Sequence, residues 1–206
     1  LDPRHADARF NLADVLAARK QYAQAIGYYR EAISIDPDQP AYRINLANAL
    51  RSIGRLDEAI AEYRQAIRLD PEVPEIYRNL GDVLVLAGYY EQAVEALRQV
   101  IAKKPDDWLA CNNLAWLLAT CPDEGVRDGQ QAVVLAKRAR RLRGPNDPQT
   151  LDTLAAAYAE AGQFERAIET QVRAVRLAAA EKKDLYLRRL GLYRAGRAVR
   201  MAAPGR

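Results

Sequence analysis

Carboxamide and carboxylate side chains recur along the chain at a fixed interval of 34 residues. An asparagine amide has both a hydrogen-bond donor and an acceptor, so it can bond the N–H and C=O of an extended peptide whatever that peptide's side chains are. A second residue follows each asparagine after three positions, and this spacing places both on one face of a helix. We therefore predict a peptide-binding surface. Its candidate residues are Asn11, Asn45, Asn79 and Asn113 in the first series and Asp14, Asn48, Asp82 and Trp116 in the second.

The spacing also has a simpler interpretation. The asparagines can belong to the repeated pattern itself, without contacting a partner. Thr153 interrupts the series in the last repeat, which is compatible with either interpretation, so both stay open on the sequence alone.

The elements that position these residues follow from the same 34-residue period, which Pro37, Pro71 and Pro105 also keep. This period is typical of solenoids built from helix–turn–helix units. Within each unit, apolar residues recur at steps of three and four, which indicates two amphipathic helices. Such units bury their apolar faces on their neighbours and leave a long concave surface. We predict a single domain over residues 1–206, with units at about 6–39, 40–73, 74–107, 108–144 and 148–179 and a capping helix at about 181–195.

The fourth unit contains five extra residues in the bend between its helices, from Thr120 to Gly129. We predict that this loop is ordered, with Cys121 and Val126 buried and Asp128 capping the next helix. The alternative is a mobile recognition loop that offers polar side chains to a partner.

The composition gives little support to catalysis. The 206 residues include one histidine and two cysteines without metal-ligand spacing, and they contain no Gly-rich phosphate loop, Ser-His-Asp set or HExxH motif. We therefore predict no enzyme activity, no catalytic residue, no cofactor and no metal site. No apolar run is long enough to span a membrane, and the sequence leaves the compartment open.

The formal net charge is +4, and most of the positive excess lies in residues 104–206. A solvated helix face explains this excess most simply. An acidic partner is the alternative, and nucleic acid or an anionic membrane is a weaker one.

The first residues, Leu1-Asp2-Pro3, repeat the segments Ile35-Asp36-Pro37 and Leu69-Asp70-Pro71, which end later repeats. We therefore expect the chain to be a fragment of a longer protein that begins at the end of a repeat. An open end should leave apolar residues bare and allow weak end-to-end self-association. The residues expected to be bare are Leu12, Leu16, Tyr22 and Ile26.

The repeated residues together resemble the tetratricopeptide repeat. The matching residues are Leu12, Ala13, Ala25, Tyr29, Ala32 and Pro37, then Leu46, Ala47, Leu50, Gly54, Ala59, Tyr63, Ala66 and Pro71, then Tyr77, Leu80, Gly81, Leu84, Gly88, Ala93 and Pro105. The resemblance implies an all-α, right-handed α-solenoid that binds a peptide or a partner subunit on its concave face. Arg9 and Arg43 stand where the family usually has tryptophan.

Two finer resemblances concern the binding residues and the source. The asparagine series is similar to the asparagine ladder in the repeat region of O-GlcNAc transferase. Residues 112–123 and 192–197 resemble the end of many bacterial tetratricopeptide proteins, which implies a bacterial source and a natural C-terminus near Arg206.

Some tetratricopeptide domains clamp a partner's C-terminal carboxylate with cations from their first helices. The matching stripe here offers Phe10, Asp14, Asn45, Glu75 and Asn79, none of them a cation. The stripe therefore disfavours this clamp. The predicted function is a protein–protein interaction module or scaffold for an extended peptide or a partner subunit. The alternatives are a scaffold that self-assembles through its repeat ends, and a substrate-recruiting region of a larger enzyme such as a glycosyltransferase.

Overall fold

The computed structural model describes residues 3–203, with side chains from residue 5 onward. This part of the chain forms eleven α-helices and one short 3₁₀ helix, and it contains no β-strand. Predictions that concern Leu1, Asp2 and Arg206 lie outside the described residues. Contacts divide the chain into two compact units, residues 1–89 and 90–206. We call them the N-terminal unit and the C-terminal unit and describe each by itself.

The N-terminal unit consists of helices that pack in chain order. They are α1 (Pro3–Ala18), α2 (Tyr22–Ile35), α3 (Pro40–Ser52), α4 (Leu56–Leu69) and α5 (Pro74–Ala87). Helix α1 pairs with α2 and α3 pairs with α4, while α2 also contacts α3 and α4 contacts α5. The all-α architecture predicted from the period is confirmed.

Local sequence sets where these helices begin and end. Pro40 and Pro74 occupy the first turns of α3 and α5, where the missing N–H removes no helical hydrogen bond. Gly88 ends α5 with a left-handed φ of 83°, a conformation that costs glycine little. Ala25 and Ala59 are fully buried on the second helix of each pair, and their small side chains let the paired helices approach closely.

The apolar surface expected at the start of the chain is only partly bare. Leu12 is 43% exposed, as predicted, but Ile26 is only 3% exposed. The prediction for Ile26 was wrong because α2 packs against both α1 and α3. Leu16 and Tyr22 are half-buried. End-to-end self-association stays a prediction.

The C-terminal unit contains one long connection, between its second and third α-helices. Its helices are α6 (Tyr90–Lys103), α7 (Trp108–Thr120), α8 (Gly129–Arg143), α9 (Pro148–Glu160), α10 (Phe164–Leu177) and α11 (Ala180–Arg194), with the 3₁₀ helix at Glu124–Val126. Helix α7 contacts α8 and α9, and α10 contacts both α9 and α11. The helix predicted as a cap is thus present within one residue of its expected bounds.

The loop between α7 and α8 is folded onto the unit. Cys121 is fully buried and Val126 is 8% exposed. The Asp123 carboxylate accepts a hydrogen bond from the backbone N–H of Gly125 at 2.9 Å, and the Asp128 carboxylate accepts one from Gln131 N–H at 2.8 Å. The prediction of an ordered loop with a buried cysteine and an Asp128 cap is confirmed.

Residues after α11 return to this loop. The backbone N–H of Met201 donates to the carbonyl of Thr120 at 2.8 Å. Glu160 at the end of α9 forms ion pairs with Arg127 of the loop at 2.8 Å and with Arg200 at 2.7 Å. The loop, the end of α9 and the final segment are therefore joined by one network of hydrogen bonds and ion pairs.

Within residues 3–203 no helix is both long and apolar enough to cross a membrane. The described part of the chain also holds no group of three or more His, Cys, Asp or Glu side chains placed to bind a metal ion.

Candidate peptide-binding grooves

The structure places seven of the eight predicted binding residues at half-buried positions, and only Asn11 is exposed. Each lies on α1, α3, α5 or α7, the helices that begin the predicted repeats. Half-buried polar side chains on such helices can bond both to neighbouring side chains and to a ligand.

In the N-terminal unit, Asp14 joins two helix pairs. Its Oδ1 accepts hydrogen bonds from the Tyr29 hydroxyl at 2.6 Å and from Asn45 Nδ2 at 2.8 Å. One member of each predicted series is therefore bonded to the other across α1 and α3. These bonds fix the orientation of the Asn45 amide, with its nitrogen toward Asp14.

Asn48 makes the corresponding bond one repeat later. Its Oδ1 accepts from the Tyr63 hydroxyl at 2.6 Å. Tyr29 and Tyr63 are both almost fully buried, and a buried hydroxyl needs a partner. Asp14 and Asn48 therefore have an internal role that the 34-residue spacing alone does not predict. The sequence does contain a regularity that corresponds to this role: each tyrosine follows its hydrogen-bond partner by 15 residues.

We call the cavity beside these residues the N-terminal groove. It has a volume of about 240 Å³ and is lined by Asp14, Ala17, Tyr22, Tyr29, Asn45, Asn48, Ala49 and Ser52. Its lining includes one carboxylate and no cationic side chain. Asn11, Asn79 and Asp82 do not line it. Burial raises the pKa of the Asp82 carboxyl, against the lowering effect of Arg51 and Arg78.

A second cavity, the C-terminal groove, lies among α7, α9 and α11. It has a volume of about 290 Å³. Predicted residues Asn113 and Trp116 line it together with eight others: Asn112, Gln149, Asp152, Thr153, Lys182, Leu185, Tyr186 and Arg189. Here the helix predicted only as a cap supplies part of a candidate site.

Arg189 is held in this groove from two directions. Its guanidinium lies over the Trp116 ring, 4.3 Å from the centroid, and it donates a hydrogen bond to the Asp152 carboxylate. Asp152 also accepts from Gln171 Nε2 at 2.9 Å. Gln171 occupies the place in the fifth pair that Tyr29 and Tyr63 occupy earlier.

Asp152 is 4% exposed, and burial raises the pKa of its carboxyl although the charges of Arg189 and Lys182 and the Gln171 hydrogen bond lower it. The side chain of Asn112, in the same groove, is also buried, and its Oδ1 has no hydrogen-bond partner in the part of the chain that the structure describes.

Comparison with known families matches the helix pairs described above. Tetratricopeptide repeat models match residues 16–62, 47–88, 74–107 and 148–181. Together these matches cover more than half of the chain. The chain is a tetratricopeptide repeat protein. The matched ranges lie on either side of α7 and α8, the helices joined by the long loop. The architecture of the family is that of a protein–protein interaction scaffold.

Solved structures of tetratricopeptide proteins share this fold. A crystal structure of MamA aligns with a TM-score of 0.75 at 19% identity, over 88% of this chain and 95% of the other. MamA from Desulfovibrio magneticus RS-1, residue 41 to the end, gives 0.75 at 19% over 84% and 94%. YrrB, described as a TPR protein with an unusual peptide-binding site, gives 0.72 at 19% over 87% and 90%.

No curated protein is significantly similar to this tetratricopeptide protein in sequence. At the identities of the solved structures, the likeness is one of fold. The similarity of the asparagine series to that of O-GlcNAc transferase and the bacterial source stay predictions.

Proposed function

We propose that this tetratricopeptide protein binds extended peptide segments of a partner protein in the N-terminal and C-terminal grooves. The observation that carries the proposal is that five of the eight residues predicted from the 34-residue spacing line these two grooves. They are Asp14, Asn45 and Asn48 in one and Asn113 and Trp116 in the other.

The internal hydrogen bonds of the N-terminal groove leave complementary peptide-binding atoms. Asn45 uses its Nδ2 on Asp14, so its Oδ1 can accept from a peptide N–H. Asn48 uses its Oδ1 on Tyr63, so its Nδ2 can donate to a peptide C=O. The two amides lie one helical turn apart on α3. This pairing suits the main chain of an extended peptide and makes few demands on its side chains.

Charge then selects among peptides. Asp14 places a carboxylate in the N-terminal groove without a cation beside it in the lining. The groove therefore disfavours an acidic side chain and accepts neutral or basic ones. YrrB, of the same fold, provides a precedent for peptide binding by this architecture.

The test is selection of a random peptide library displayed on phage against the purified protein, followed by affinity measurement with a selected peptide. We expect Asn45→Ala with Asn48→Ala to weaken binding of such peptides by about 1–3 kcal/mol, the range for one or two hydrogen bonds. Asn11→Ala is the matched control, because Asn11 belongs to the same series, is exposed and lines neither groove.

Circular dichroism checks that the double variant is folded, since Asn48→Ala also removes the partner of the Tyr63 hydroxyl. Failure to enrich any peptide would overturn the proposal. If the double variant and the Asn11→Ala control bind every selected peptide with equal affinity, the N-terminal groove is not a peptide-binding site.

A further inference from the structure

We propose that the C-terminal groove recognises a carboxylate on the partner peptide, held by Arg189 and Lys182 of α11. This inference rests on the proposed function in that the ligand is a peptide. It adds the chemical class that the groove selects, an acidic group beside an apolar side chain.

Arg189 is oriented before any ligand arrives. The Trp116 ring supports one face of its guanidinium, and Asp152 binds one edge. A guanidinium carries five N–H donors in a rigid fork, so donors remain that Asp152 does not use. The Arg189 side chain is 16% exposed and lines the groove. A fork fixed in this way loses little conformational entropy when it binds a carboxylate.

Lys182 provides the charge that Asp152 does not cancel. It lies on α11 two helical turns before Arg189, so both face the groove. Among the residues that the structure describes, Lys182 has no ion-pair partner. The three charged groups lining the groove are Asp152, Lys182 and Arg189, which carry a net positive charge. A ligand carboxylate would complete the neutralisation.

Two further features point to a peptide rather than a free anion. Asn112 lines the groove, and its buried Oδ1 has no hydrogen-bond partner among the described residues, so a peptide N–H could supply one. Leu185 is 41% exposed and lines the groove with Trp116 and Tyr186. These side chains form an apolar wall for the neighbouring residue of the ligand.

The carboxylate can come from a Glu or Asp side chain or from a chain end. The test uses three fluorescein-labelled peptides: Ala-Leu-Glu-Leu-Ala with an amidated end, its Gln counterpart with the same amide, and the Gln peptide with a free carboxylate. Fluorescence polarisation measures their affinities at low and high salt. We expect at least one carboxylate peptide to bind tenfold or more tightly than the neutral peptide, with affinity falling as salt rises.

The matched variants are Lys182→Gln and Lys183→Gln. Both residues are exposed lysines on α11, but only Lys182 lines the groove. We expect Lys182→Gln to weaken carboxylate binding severalfold and Lys183→Gln to leave it unchanged. Arg189→Lys keeps the positive charge but removes the fork of guanidinium N–H donors. We therefore expect this variant to bind the carboxylate peptide with less preference over the neutral peptide than the unchanged protein does. Circular dichroism checks that each variant is folded.

The outcomes separate the two proposals. Selective binding of the Glu peptide assigns the site to acidic side chains, and selective binding of the free acid assigns it to chain ends. Equal affinity for all three peptides, or no binding, overturns the carboxylate inference, while peptides selected from the library would still support the proposed function. Displacement of the peptides by a single-stranded oligonucleotide, with the same sensitivity to Lys182→Gln, would overturn the inference in favour of nucleic acid.

Discussion

The hydroxyl of Tyr63 on α4 donates a 2.6 Å hydrogen bond to Oδ1 of Asn48 on α3. The same relationship joins Tyr29 to Asp14 one repeat earlier, also at 2.6 Å. Asp14 and Asn48 of the second predicted series thus hold paired helices together as well as lining the N-terminal groove. In the third repeat, Leu97 stands at the position of the tyrosine, so this bond is a feature of the first two repeats.

Removal of the Tyr63 hydroxyl should therefore destabilise the protein modestly. We expect Tyr63→Phe to lower the free energy of unfolding by about 1 kcal/mol, because one hydrogen bond is lost and half-buried Asn48 can turn toward water. Urea denaturation measures the change. Tyr28→Phe is the control, since Tyr28 of α2 is a half-buried tyrosine whose hydroxyl has no hydrogen bond to the described residues. A loss as large in the control would show that the Asn48 bond contributes nothing specific.

Alkaline pH should destabilise the protein through its buried tyrosines. Burial raises the pKa of Tyr42, Tyr63 and Tyr186 from 10.0 to about 12, and the Asp7 carboxylate adds to the effect at Tyr42. Because the folded pKa values are raised, the contribution of these groups is complete below the ordinary value and is lost as the pH rises toward about 12.

We expect the free energy of unfolding to fall as the pH rises from 10.0 to about 12. In the Tyr63→Phe variant this free energy should fall less steeply, because one of the titrating groups is absent. Denaturation at a series of pH values, with tyrosinate absorbance recorded in parallel, tests this. A free energy that stays constant through this range would contradict the prediction.

The buried loop should protect Cys121 from modification. Cys111 and Cys121 are both fully buried free thiols, and burial raises the pKa of each. A thiol reagent at neutral pH should therefore label the native protein far more slowly than the protein in urea. In a Cys111→Ala background, Arg127→Ala should accelerate labelling of Cys121, because Arg127 donates to the Cys121 carbonyl at 3.1 Å and pairs with Glu160. Labelling as rapid in the native protein as in urea would favour the mobile recognition loop instead.

Gly129 should not tolerate a side chain. A Cβ at this position would lie 2.6 Å from the backbone nitrogen of Ala161, so α8 and the end of α9 would have to separate. We expect Gly129→Ala to cost about 1–3 kcal/mol, the range for overpacking. Gly191→Ala is the control, because Gly191 lies in α11 and a Cβ added there would meet no atom within 4 Å. That substitution should leave stability unchanged or raise it by up to about 1 kcal/mol. Thermal unfolding of both variants measures the difference, and equal midpoints would refute the predicted crowding.

The sequence predicted the helices well because their signals are local and repeated. Pro40, Pro74 and Pro148 were expected to begin units, and each lies in the first turn of a helix. Burial of the loop residues Cys121 and Val126 followed from their apolar character alone.

The candidate site was harder to predict because its contacts join distant residues. Lys182 and Arg189 lie in α11, outside the 34-residue pattern, so the sequence did not show that α11 packs beside α7 and α9. Asp152 was overlooked because it stands one position before the interrupted asparagine series. Its role appears only through its bonds to Arg189 and Gln171.

The hydrogen bond from Met201 to Thr120 joins residues about 80 positions apart, whereas most other contacts in the C-terminal unit join neighbouring helices. Repeat arrays ordinarily gain or lose units one at a time, because each unit contacts only its neighbours. The hydrogen bond from Met201 to Thr120 prevents such a change among α8 to α11, because deleting a helix pair there would alter the distance that the final segment must span. Engineering that lengthens or shortens the array is therefore better directed to the N-terminal unit, where a 34-residue step can be inserted between α2 and α3.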